Sequence, residues 1–219
     1  MAKRYFGFFG MVALLVGIIG GDSPAAKTVY RVKFANEAAV VYRVGIDTCG
    51  YSQVFVHASD SLTKKKQKKV DESHLWIQLY RFDWCQWWPQ ATLDVAQSVE
   101  LLEKEFDATT NLQDASINKT ALVFNHATGR NIFVSLNVTL DGNKDDWGDY
   151  SGKSKRKTPN FTSITRSSGR FVMADVDGII TDGSNNLLDS SWVIVDDNRI
   201  EKNKTGILEV YSEDTPIKG

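Results

Sequence analysis

Apolar and polar residues alternate with a period of two through most of the chain. Tyr30, Val32 and Phe34 alternate with Arg31 and Lys33, and Val40, Tyr42, Val44 and Ile46 continue the pattern. Successive side chains of an extended backbone point to opposite faces, so this alternation predicts strands. Val54 to His57 forms a shorter run. Leu75, Ile77 and Leu79 then alternate with His74, Trp76, Gln78 and Tyr80. Bulky residues on both faces make that strand central or give it a contact surface. The clearest alternation is Asn131 to Leu140, where Ile132, Val134, Leu136, Val138 and Leu140 oppose Phe133, Ser135, Asn137 and Thr139. With Lys119 to Phe124 it predicts a hairpin across Asn125 to Arg130 that has one wet face. Val172, Ala174 and Val176 predict a strand that ends near Gly178 and the Asp182-Gly183 turn signal. Trp192 to Val195 and Ile207 to Tyr211 close the series. About ten strands at 8 to 15 residue spacing, rather than alternating βαβ units, predict an all-β fold, a single antiparallel β-sandwich or barrel.

Three segments depart from this pattern. Asp94 to Phe106 carries Val95, Val99, Leu102 and Phe106 at helical spacing, with Asp94 and Gln97 placed like a capping pair. Its Leu93, Val95, Val99 and Leu101 also fit one face of a strand, so a short helix near 94–106 and a strand both stay open. Lys64 to Lys69 and Asp141 to Pro159 have no periodicity and read as exposed loops. The lysine run suits an anionic surface such as phospholipid, polysaccharide or nucleic acid. The favoured reading is a solvated loop that keeps strand edges apart.

Lys3 and Arg4 precede an apolar stretch, Tyr5 to Ile19, and Ser23-Pro24-Ala25 offers a small-residue cleavage site. Residues 1–25 therefore read as a signal peptide, and 26–219 as one exported β-domain. In an oxidising compartment the only two cysteines, Cys49 and Cys85, are expected to form a disulfide. The chain has 219 residues, 42% of them apolar and 24% charged, with a net charge of -1. That balance is globular, and it gives no electrostatic case for nucleic acid as a partner.

Candidate chemistry is sparse. Arg81 to Pro89 holds Trp84, Trp87 and Trp88, and aromatic faces stack on the apolar faces of sugar rings. The competing reading packs these rings on the disulfide or plugs one end of the fold with them. Trp88-Pro89 is the expected exposed pair, since proline stops the ladder there. Asp141, Asn143, Asp145 and Asp149 occupy the first, third, fifth and ninth places of a Ca²⁺-loop pattern. Asp146 stands where that pattern needs glycine and Gly152 where it needs glutamate, so an acidic loop is the default. Asp175 and Asp177 lie two apart on one strand, a spacing that paired carboxylates in hydrolysis can use; a solvent-facing strand end is the ordinary alternative. His57, His74 and His126 are scattered without ligand or triad spacing. Asn118, Asn137, Asn160 and Asn203 each begin an Asn-x-Ser/Thr sequon. The leading expectation is a non-enzymatic binding, adhesion or surface-structural module with a glycan or protein ligand and no cofactor. A secreted hydrolase with an acidic site and a Ca²⁺-stabilised surface protein are the alternatives.

Overall fold

The computed structural model describes residues 28–65, 68–157, 161–183 and 193–212. The expected signal peptide, Trp192 and Asn160 lie outside them. The described residues form ten strands and no helix. These are β1 (Thr28–Ile46), β2 (Gly50–Lys65), β3 (Lys68–Asp83), β4 (Gln90–Glu100), β5 (Phe106–Ala108), β6 (Asp114–Asn125), β7 (Arg130–Lys157), β8 (Phe161–Thr181), β9 (Val193–Asp196) and β10 (Arg199–Ser212). They build one antiparallel sheet in the order β4-β3-β2-β1-β10-β8-β7-β6-β5, with β9 paired beside β1.

The alternation explains the core. Val54, Val56 and Ala58 of β2, Leu75, Ile77 and Leu79 of β3, Ile117 and Val123 of β6, and Val134 to Leu140 at alternate positions of β7 belong to one buried cluster. Strands from both ends of the sheet share that cluster, so the sheet curls until its edges meet. The meeting is made by side chains and one backbone bond. Gln97 accepts from the Phe124 amide at 3.2 Å, the His126 amide donates to the Asp94 carbonyl at 2.8 Å, and Asn125 links both sides. The short β5 covers only Ala115 to Ile117 of the β6 edge and leaves the remainder for β4.

Several sequence expectations are corrected here. The segment 94–106 is not helical: β4 pairs along β3 from Gln90 to Glu100, with Leu93 and Val95 pointing into the core. A helix would have placed Leu102 on the buried stripe, whereas Leu102 is 64% exposed. Gln97 caps nothing; its side chain serves the β6 edge. Asp141 to Lys157 is not a loop but the second half of β7, and its lack of alternation marks a bulge. Gly142 pairs with Ala174 and Trp147 with Val172, so Asn143 to Asp146 oppose Met173 alone. In the lysine run, Lys64 and Lys65 end β2 and pair with Lys69 and Lys68 at the start of β3.

One inward cation is neutralised at the barrel end. Lys119 donates to Glu105 at 2.6 Å, and Glu105 also accepts from the Leu102 amide at 2.6 Å. Burial alone would raise the Glu105 carboxyl, but Lys119 and that amide outweigh it and hold the pKa below its ordinary 4.5. A lowered folded pKa stabilises the fold above the unfolded pKa, and that contribution is lost as pH falls through the folded value. Glu105→Gln is therefore expected to melt lower than the parent at neutral pH, with the gap closing below about pH 4.5. Thermal melts across pH check this; a gap that stays constant contradicts it.

Candidate functional site

The tryptophan loop follows β3 and is pinned to the β1–β2 connection. Cys49 and Cys85 form the expected disulfide across a separation of 36 residues. Hydrogen bonds reinforce it locally: the Trp84 amide donates to the Cys49 carbonyl at 2.7 Å, and Cys85 N to Asp83 Oδ1 at 2.9 Å. Asp47 accepts from the Cys49 amide at 2.7 Å and from Arg81 at 3.1 Å. The Cys49 amide first, and Arg81 after it, hold the Asp47 carboxyl below its ordinary value. Arg81 also reaches Ser52 Oγ at 2.9 Å, so it braces the base of the loop from the core side.

The loop presents its rings outward. Trp87 is 90% exposed, Trp88 75% and Trp84 42%. Burial on the disulfide, the competing expectation, does not occur. Trp84 is oriented by donation from Nε1 to the Thr48 carbonyl at 3.1 Å. Its ring centroid lies 6.5 Å from Tyr51, whose ring is 6.0 Å from Phe82 and 5.4 Å from Tyr80. Tyr51 pairs with Phe82 and Gln53 with Tyr80, so strand register sets these rings on the outer face. Trp76 continues that face further along β3, 39% exposed. The row Tyr51, Tyr80 and Phe82 was missed from sequence. Its signal was the double-sided bulk of β3, which explains itself as an inner core face and an outer aromatic one.

Asp175 and Asp177 occupy a different place. Asp114, Asp141 and Asp175 stand opposite one another on β6, β7 and β8, and Ser116, Thr139 and Asp177 form the next row. With Asp107 and Thr109 they line a hollow of about 470 Å³ on the outer face. No basic residue lines it. Nearby, burial raises the Asp196 carboxyl; Arg43 opposes the shift, and Asp175 and Asp197 add to it. The structure thus brings both predicted carboxylates together with three aspartates that sequence spacing did not connect. Asp141 shares the hollow, while Asn143 and Asp145 sit in the β7 bulge, where Asn143 accepts from the Asp145 amide at 3.1 Å, and Asp149 lies beyond it. Among the described residues no three His, Cys, Asp or Glu side chains are grouped to hold a metal ion. The bulge replaces the encircling loop that a Ca²⁺ site of this pattern needs.

Asn118 and Asn137 are exposed and directly opposite each other, whereas Asn203 is only 7% exposed. No helix among the described residues is long and apolar enough to cross a membrane. No known family matches the chain, and no curated protein matches it. Among solved structures it is similar to the enduracididine biosynthesis enzyme MppR complexed with pyruvate, at 9% identity and a TM-score of 0.29, over 88% of this chain and 91% of that one. It is also similar to MppR with the condensation product of pyruvate and imidazole 4-carboxaldehyde, at 8% identity and a TM-score of 0.29, over 83% and 87%. Likenesses of that size carry no argument about what this chain does.

Proposed function

We propose that this chain is an exported, non-enzymatic β-module that binds glycan through the aromatic surface around Trp84, Trp87 and Trp88. The observation that carries this reading is the exposure of Trp87 and Trp88, at 90% and 75%, on a loop fixed by a disulfide. Large apolar rings facing water are disfavoured unless a partner covers them, and a pre-ordered loop loses little entropy when that partner arrives. Aromatic faces stack on the apolar faces of pyranose rings, and the adjoining Tyr51, Tyr80 and Phe82 lengthen the surface. The disulfide agrees with an oxidising compartment. Titrating neutral oligosaccharides while following tryptophan fluorescence tests the reading. A saturable change in emission is expected; a flat response to every sugar contradicts it.

A hydrolase using Asp175 and Asp177 is the second reading, favoured by one observation: both carboxylates face the same 470 Å³ hollow. Asp175→Asn and Asp177→Asn are then expected to abolish any hydrolytic activity found. Full activity in both variants excludes this pair.

A further inference from the structure

Beyond its core the sheet continues as six strands, β3-β2-β1-β10-β8-β7, and cross-strand register arranges their side chains in rows. On the core side, the first row past Leu75, Ala58 and Ala39 reads Ser73, Asp60, Glu37, Lys202, Arg170, Asp149. Both of its cations are paired with acids of the same row. Lys202 lies 2.5 Å from Glu37 and Arg170 3.2 Å from Asp149, and Asp60 accepts from Ser73.

A later row on the same side reads Lys69, Lys64, Lys33, Ile207, Arg166, Lys153. Five of its six positions are cations, and none is an acid. The five come from five strands, so no stretch of sequence announces them together. Like charges directly opposite on neighbouring strands repel. The first row also sets Asp60 beside Glu37 and Lys202 beside Arg170, but there acids and cations alternate in pairs and offset one another, whereas this row holds no acid. Among the described residues only Arg166 has an acid within ion-pairing distance, Glu209 at 3.0 Å. Lys33, Lys64, Lys69 and Lys153 are exposed, and so is Lys155, two residues along the same face of β7.

We propose that this row is a second binding site, for a linear acidic polysaccharide. Strands lie about 4.8 Å apart, so the row offers one position per strand across roughly 24 Å. A polysaccharide with one carboxylate or sulfate per sugar spaces its charges at a similar pitch. Duplex nucleic acid is denser, at about one charge per 1.7 Å of axis, and broader than a single file of side chains. The row faces the side toward which the sheet curls, which a slender chain can follow and a flat bilayer cannot. This site goes beyond the tryptophan surface and is separate from it. From Lys69 to Asp83, at the start of the tryptophan loop, β3 runs about 45 Å.

The test uses the full chain, the triple variant Lys33→Gln/Lys64→Gln/Lys69→Gln, the matching triple change to Arg, and Trp87→Ala/Trp88→Ala. Probes are alginate, dextran sulfate, uncharged dextran, phosphatidylserine-containing vesicles and single-stranded oligothymidylate. The parent is expected to bind alginate or dextran sulfate and not dextran; alginate assigns carboxylate as the recognised group and dextran sulfate assigns sulfate. The Gln triple variant should lose tenfold or more in affinity at unchanged melting temperature, with a shallower dependence on salt. The Arg triple variant should retain binding. The tryptophan variant should bind the polyanions like the parent, so failure of the aromatic reading leaves this result intact. The site is overturned if the parent binds neither polyanion, if the Gln triple variant binds like the parent, or if vesicles or oligothymidylate bind more tightly than both polysaccharides.

Discussion

Replacing Cys49 and Cys85 together by alanine is expected to destabilise the fold by about 4 kcal/mol, the loop-closure entropy returned to the unfolded chain by freeing a 36-residue loop. For a chain of this size that corresponds to a fall in melting temperature of roughly 10 °C. The loss should also reach the candidate site. Trp84 is held by the Thr48 and Cys49 carbonyls, and those contacts persist only while the β1–β2 connection stays against the loop. Glycan affinity should therefore fall with stability, because the loop must then be ordered on binding. Melting the parent with and without reductant, beside the double variant, measures the effect. A shift within error, with both cysteines alkylatable only after reduction in the parent, would mean that the crosslink stabilises nothing.

Asn125→Ala is the second large effect. Asn125 is 3% exposed at the end of β6, and its side chain joins the two edges of the curled sheet. Oδ1 accepts from the amides of Asp94 at 3.3 Å, Ala127 at 3.0 Å and Thr128 at 3.4 Å, and Nδ2 donates to the Thr92 carbonyl at 3.2 Å. Alanine removes all four bonds and leaves backbone groups unpaired in a part-buried site. Each such group costs about 1 to 3 kcal/mol, and solvent reaching some of them brings the expected total to about 3 kcal/mol. Amide exchange locates the change. Protection should fall first at Asp94, Phe124 and His126, where the edges meet, and less at Ile77 and Leu79 in the interior of β3. Uniform loss of protection along all strands would show that Asn125 supports the fold generally and not the closure.

The fold class was legible because the interior requires it. Val134, Leu136, Val138 and Leu140 must share a face to reach the core, and a period of two is the only way for a strand to achieve that. The closure was not legible. It depends on Gln97 and Asn125, polar residues whose partners lie on strands distant in sequence. The helical spacing of Val95, Val99, Leu102 and Phe106 misled for the same reason. Local spacing carries no record that β3 offers Gln90 to Glu100 a complete ladder. The β7 bulge hid a strand by breaking its alternation for a few residues. The outward tryptophans could be named from sequence but not placed, since packing on the disulfide and display beside it use the same residues. The aspartate hollow and the lysine row were legible only in fragments, Asp175 with Asp177 and Lys64 with Lys69, because register across three to six strands assembles them.

Affinity electrophoresis is the direct test of the proposed glycan surface around the exposed tryptophans. The parent and Trp87→Ala/Trp88→Ala are run through gels that contain neutral polysaccharides, with melting temperatures measured in parallel. Buried aromatic anchors at interfaces typically contribute about 2 kcal/mol or more each, so the double variant should lose on the order of a thousandfold in affinity. The parent should be retarded by at least one polysaccharide and the variant by none, at equal melting temperatures. A parent that is never retarded, or a variant retarded equally, would contradict it.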